Sequence, residues 1–188
     1  MTTENNTATL WEMLKKSDDL LAFQKLHTYF YPLLCDFSFI YLRCREASEE
    51  VVDDVFVTLW RKKGNLGHVK NIKSYLYTCT RNLSIDYLRK GSRTQEVETG
   101  EFKIEKLPYS YEFESDLEME EFRGHLQEAV DQLPKRCKLI FKMFLNDNLT
   151  CGEIAVVLEL SKKTVETQVA IAYRKLTAAL KTIYSQTA

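Results

Sequence analysis

Apolar residues recur along most of the chain at spacings of three and four, the pattern of helices with one buried face. From Leu20 to Leu42 the run is rich in aromatic residues: Phe23, Leu26, Tyr29, Phe30, Tyr31, Leu33, Leu34, Phe37, Phe39, Ile40 and Tyr41. Most of it must form core. Ser48 then caps a helix in which Val51, Val52, Val55, Phe56 and Leu59 face inward, while Asp53, Asp54, Val57 and Arg61 face out. Trp60, beside Leu59, reads as core rather than as a stacking platform. A further helix over residues 71–90 has Ile72, Leu76, Cys79, Leu83, Ile85 and Leu88 as its apolar stripe. Its outer face carries Lys73, Arg81, Asn82, Arg89 and Lys90, with Tyr75, Tyr77 and Tyr87 interleaved.

The C-terminal half repeats the pattern. Leu126, Val130 and Leu133 fall at helical spacing and stop at Pro134; Leu139, Ile140, Phe141, Met143, Phe144 and Leu145 form the apolar part of the next helix. Thr150-Cys151-Gly152-Glu153 is a capping box, in which the Thr hydroxyl accepts from the Glu amide and the carboxylate reaches back. It opens a short helix with Ile154, Ala155 and Leu158 apolar. Leu160 follows, and Ser161 is the N-cap of a longer helix. There Val165, Val169, Ala172, Leu176 and Leu180 form one buried stripe. Lys162, Lys163, Glu166, Thr167, Gln168, Tyr173, Arg174 and Lys175 occupy the other faces.

Composition agrees with an all-α chain. With 6 Gly and 3 Pro in 188 residues there is little for the turns of a β-sandwich, and 45% hydrophobic residues exclude wholesale disorder. The formal net charge of −1 hides an asymmetry. Residues 58–93 hold nine basic side chains against Asp86 alone, and residues 91–121 hold ten acidic ones against three basic. Before Leu117 the acidic stretch lacks sustained helical periodicity and contains Gly100 and Pro108. The expected organisation is therefore two small helical domains, 1–90 and 117–188, joined by an acidic flexible linker over 91–116.

No chemistry-bearing constellation appears. The five cysteines are far apart with no C-x-x-C, the three histidines are scattered, and there is no nucleophile motif, phosphate loop or metal spacing. Reduced, buried thiols in a cytosolic protein are the expectation, and the N-terminus lacks the order of a signal peptide. The chain does not read as an enzyme.

Two surfaces remain. A short helix, a tight turn and a helix of about twenty residues match a helix-turn-helix, whose second helix enters the major groove. Ser161, Lys162, Lys163 and the free amides of the first turn suit phosphates. That geometry fits an ordinary helical hairpin equally well; the capping box, the small Ala155 and the basic start of the long helix favour DNA. In the N-terminal half, basic residues interleaved with aromatic ones are what single-stranded nucleic acid requires. Asp53 and Asp54 suit a basic partner helix, or simple solvation in an early helical turn.

These residues resemble a known family. Residues 23–60, with Arg81-Asn82-Leu83-Ser84-Ile85-Asp86-Tyr87-Leu88-Arg89, are similar to the first conserved domain of extracytoplasmic-function sigma factors. Residues 131–180, with Glu153-Ile154-Ala155 and Ser161-Lys162-Lys163-Thr164-Val165-Glu166, resemble their second domain. The resemblance implies an RNA polymerase sigma factor that directs promoter-specific initiation and promoter opening, with no catalytic residue, metal, cofactor or small-molecule substrate of its own. It implies a cytoplasmic protein whose partners are core RNA polymerase, promoter DNA and an anti-sigma protein, often membrane-bound. Asp53, Asp54, Val57 and Arg61 would dock on the clamp helices of the largest polymerase subunit. The loop around Gly64 to Lys73 and the helix after it would open and hold the minus-ten element, with Lys70, Lys73, Tyr77, Arg81, Asn82, Arg89 and Lys90 as contacts. Ser161, Lys162, Lys163, Thr164, Glu166, Thr167, Gln168 and Arg174 would read the minus-thirty-five element as duplex. Three positions depart from the family's habit. Glu159 and Asn148 stand where Gly is common, and Ile171 where a basic residue is usual. A left-handed Glu159 would cost on the order of 1 kcal/mol.

A second reading is a free-standing helix-turn-helix regulator whose N-terminal half senses a ligand or dimerises. It would bind duplex DNA unaided, whereas a sigma factor binds promoter DNA well only with core polymerase. A helical interaction protein without DNA function is the third.

Overall fold

The computed structural model describes residues 3–17, 19–91 and 117–186. Among them are eight α-helices and no strand. The chain divides into two compact units, Met1–Glu101 and Phe102–Ala188. The stretch read as a linker lies outside the described residues, apart from its first, Gly91, which ends a helix.

The N-terminal unit contains α1 (Thr3–Ser17), α2 (Leu20–Leu42), α3 (Arg45–Lys62), a 3-10 turn (Lys63–Asn65) and α4 (Ile72–Gly91). Asp19 caps α2, its carboxylate accepting from the amides of Leu21 and Ala22 at 2.9 and 3.1 Å. Leu26, Phe30, Leu34, Phe37 and Ile40 of α2 are buried, as are Val51, Val52, Val55, Phe56 and Leu59 of α3. Helix α3 begins earlier than its apolar pattern predicts. Ser48 is not the cap: it lies a turn inside and donates its hydroxyl to the Cys44 carbonyl at 2.7 Å. With Ala47 and Ser48 both buried, tertiary packing holds a first turn that no side chain caps.

Helix α4 is rotated from the expected stripe. Ile72 and Leu76 are buried as predicted, but Tyr77, Thr80 and Ser84 complete the inward face, while Cys79, Leu83, Ile85 and Leu88 are half-buried. The cause is a seam of hydroxyls. Ser38 on α2 and Ser84 on α4 meet at 2.9 Å, Ser84 donates to the Thr80 carbonyl at 2.8 Å, and Thr80 donates to the Leu76 carbonyl at 2.9 Å. Small side chains that satisfy themselves against the preceding turn allow the two helices to approach closely.

The C-terminal unit contains α5 (Leu117–Asp131), α6 (Lys135–Leu145), α7 (Cys151–Leu158) and α8 (Lys162–Gln186). Its core joins Ala129, Val130 and Leu133 to Cys137 and Phe141 and to Ala172 and Leu176 of α8. The α8 stripe is buried at Val165, Val169, Ala172 and Leu176; the side chain of Leu180 lies outside the described residues. In α7, Val157 is buried and Leu158 half-buried, against the expected order. Lys138, almost wholly buried, is held by Asp131 at 2.8 Å, which ties α6 back to the end of α5.

Candidate functional site

The outward face of α3 forms as the pattern requires. Asp53, Asp54, Val57 and Arg61 are exposed, with Val57 an apolar side chain 45% in solvent among charges. Tyr31 of α2 hydrogen-bonds Asp53; burial, then the nearby Cys35 and Asp53, push its phenol up to about 12. An aromatic seam runs beside this face: His27 stacks on Tyr31 at 4.7 Å and lies 4.6 Å from Phe56, and Phe23 meets Trp60 edge-on at 5.0 Å. Trp60, expected in the core, is half-buried at the end of that seam.

The loop between α3 and α4 is anchored rather than loose. The Lys63 ammonium sits 3.2 Å from the centre of the Trp60 ring, which makes the start of the loop a cation–π clamp. Leu66 and Val69 are buried, whereas Asn65, Gly67, His68, Lys70 and Asn71 are exposed. Asn71 caps α4, its side-chain oxygen accepting from the Ser74 amide at 2.9 Å. The Trp11 indole donates to the Val69 carbonyl at 3.0 Å. Trp11 lies on α1, which sequence reasoning passed over; the spacing of Leu10, Trp11 and Leu14, all buried, was the available signal.

The expected minus-ten set is split by the fold. Lys70, Asn82, Arg89 and Lys90 are exposed, and Arg89 pairs with Asp86 at 3.5 Å. Arg81 is half-buried and hydrogen-bonds Tyr41, whose phenol burial pushes up to about 12. Two residues are corrections to the expected outer face. Tyr77 is fully buried with its ring 5.0 Å from Phe37, and Lys73 is only 6% exposed. Both follow from the rotation of α4 about its hydroxyl seam. Of the three interleaved tyrosines, Tyr87 is the exposed one, and Tyr75 is half-buried and bonded to Cys79.

In the C-terminal unit the turn between α7 and α8 sets the geometry. Thr150 and Glu153 form the capping box, at 3.2 Å from the Glu153 amide to the Thr150 hydroxyl and 2.6 Å from the Thr150 amide to the carboxylate. Helix α7 ends in a Schellman closure. Leu160 donates to the Ala155 carbonyl at 2.9 Å and Glu159 to the Val156 carbonyl at 3.3 Å, with Glu159 left-handed at φ 55°. Asn148 is left-handed too, at φ 52°. Ser161 then caps α8, accepting from the Thr164 amide at 3.0 Å. Ser161, Lys162, Lys163, Glu166, Thr167 and Arg174 are exposed; Thr164 and Gln168 are half-buried. Lys162 pairs with Glu166 at 3.6 Å, and Thr167 donates to the Lys163 carbonyl at 2.8 Å. Ile171 packs against the core cluster, which explains an apolar residue at that position.

Among the described residues no group of three or more His, Cys, Asp or Glu side chains could hold a metal ion, and no helix is long and apolar enough to cross a membrane. The cysteines are free, but of the five only Cys137 is buried, and Cys44 is exposed.

The sigma-70 region 2 family model matches residues 26–94, and the sigma-70 region 4 model matches residues 123–176. No curated protein matches the sequence. Among solved structures, the chain is similar to CnrH in complex with the cytosolic domain of CnrY, with 16% identity, 94% of this chain and 98% of that chain covered, and a TM-score of 0.57. It is also similar to the sigma factor RpoE in complex with the anti-sigma factor NepR from Bartonella quintana, with 20% identity, 85% and 96% coverage, and a TM-score of 0.55. These likenesses carry the fold, and the two matched regions carry the family: the chain belongs to the sigma-70 family of RNA polymerase sigma factors, with the region 2 and region 4 units of its extracytoplasmic-function members.

Proposed function

We propose that this sigma factor divides initiation among three surfaces. Asp53, Asp54, Val57 and Arg61 on α3 dock on the clamp helices of the largest polymerase subunit, where exposed carboxylates around one apolar side chain suit a basic partner helix. The loop over residues 63–71, with Lys70, and the exposed Asn82, Arg89 and Lys90 of α4 hold the opened minus-ten strand; Arg81 reaches the same surface from its bond to Tyr41. Helix α8 reads the minus-thirty-five duplex, with Ser161, Lys162 and Lys163 at the phosphates and Glu166 and Thr167 towards the base edges. Thr164, Gln168 and Arg174 belong to the same contact set, the first two half-buried and Arg174 exposed. The observation that carries the reading is the division of α8 into a buried stripe and an exposed polar face that begins at a capped, basic N-terminus.

The chain acts in the cytoplasm as an accessory to polymerase and carries out no reaction of its own. Its affinity for a promoter is joint, because two modest contacts on one chain gain through effective concentration. The CnrH structure contains the cytosolic domain of CnrY, and the RpoE structure contains the anti-sigma factor NepR. An anti-sigma protein is the corresponding partner proposed here.

Run-off transcription with purified core polymerase and a pool of genomic fragments tests the reading. Protein-dependent transcripts that share a two-element upstream motif are expected. Absence of transcripts, together with duplex binding by the protein alone, would favour the free-standing regulator.

A further inference from the structure

We infer that Trp11 is a positioning residue for promoter opening: from α1 its indole holds the loop over residues 63–71 in the shape that meets the separated strand. The inference rests on the assignment of that loop to the minus-ten element. The loop's own backbone bonds are turn bonds, Leu66 to the Lys63 carbonyl at 3.3 Å and Val69 to the Leu66 carbonyl at 2.9 Å. It contains Gly64 and Gly67, neither crowded within 4 Å of where a Cβ would stand and neither left-handed, so local sterics do little to restrict it. Its shape must therefore come from anchors.

One anchor is the Lys63 ammonium on Trp60. A second is Trp11, 1% exposed, whose N–H reaches the Val69 carbonyl at 3.0 Å. Val69 is flanked by the exposed His68 and Lys70. A carbonyl left without its donor in that dry position would turn towards water and carry both neighbours with it. Helix α1 precedes the residues that the region 2 model matches, so this chain supplies the anchor from outside its shared region 2 segment.

The test compares Trp11→Phe, which keeps an aromatic ring in place and removes the donor, with the natural chain. Both are loaded on core polymerase with a promoter fragment from the run-off pool, supplied as intact duplex and with its minus-ten segment mismatched. Permanganate reactivity of unpaired thymines reads opening. Opening of the duplex should slow by about tenfold, the factor matching one net hydrogen bond. On the mismatched fragment, whose minus-ten thymines are already unpaired, run-off transcript yield should match that of the natural chain, and affinity for core polymerase should be unchanged. Natural opening by Trp11→Phe would overturn the proposal. An equal loss on both fragments, or weakened core binding, would reduce Trp11 to a general stabiliser and overturn it as well. Lys70→Ala serves as the control on the loop itself: if it leaves opening intact on the duplex, the loop assignment fails and takes the inference with it.

Discussion

In the C-terminal unit, α8 keeps its two duties on separate faces. Val165, Val169, Ala172 and Leu176 pack inward, while Ser161, Lys162, Lys163, Glu166, Thr167 and Arg174 stand in solvent. In the N-terminal unit, α4 and the loop before it mix those duties. Lys63 lies on Trp60, Lys73 and Tyr77 are turned inward, and Arg81 is bonded to Tyr41. The contrast suits the two contacts proposed. A duplex groove is a fixed shape that a solvated helix face can enter, whereas a separated strand is floppy and is best met by a surface whose backbone packing has already immobilised.

The largest expected effect tests the claim that Tyr77 belongs to the core. Tyr77→Ala should cost about 3–5 kcal/mol of stability, and the same change at the exposed Tyr87 about 0.5 kcal/mol or less, read from urea unfolding of each variant. If Tyr87→Ala were the more damaging, the rotation of α4 would be wrong. Alkali should next separate the units. A raised phenol pKa favours folding below pH 10, the ordinary value, and that stability is lost as pH climbs towards about 12 for Tyr41. A two-unit rise on a mostly buried group corresponds to on the order of 2 kcal/mol. Thermal melts on either side of this window should therefore show a smaller alkaline loss in Tyr41→Phe than in the natural chain.

The functional contrast comes third. Asp54→Arg should weaken binding to core polymerase about tenfold while element preference stays the same. Lys163→Ala or Thr167→Ala should change which upstream element is used, by about 1–3 kcal/mol of discrimination, with core binding intact. Competitive transcription from paired promoters, alongside core titrations, distinguishes these outcomes. The smallest effect is at the turn: Glu159→Gly should leave the melt within about 1 kcal/mol of the natural chain, on the stabilising side, because it relieves a left-handed non-glycine residue.

The contrast between the units also explains what could be read before the structure. The capping box at Thr150, the Ser161 cap and the α8 stripe were legible because local hydrogen bonds and a single hydrophobic period decide them. The outward set Asp53, Asp54, Val57 and Arg61 followed from the same logic on α3. The face of α4 was not legible. Leu83 and Leu88 are more hydrophobic than Thr80 and Ser84, yet the close approach to Ser38 buries the hydroxyls and half-exposes the leucines. The part played by α1 was hidden for another reason: the value of Trp11 lies in Val69, 58 residues away in sequence. Pairings at that separation leave no local period to detect.

The Ser38–Ser84 seam also limits how this region can vary. Both serines are wholly buried where the two helices meet, so a larger side chain at either position would have to displace its neighbours. A bulkier replacement would act as a wedge, prising α4 from α2 and tilting the basic surface long before the domain melted. Losses of promoter activity with intact folding would thus be expected to map to this seam, on the inward face of α4 rather than on the residues proposed to touch DNA.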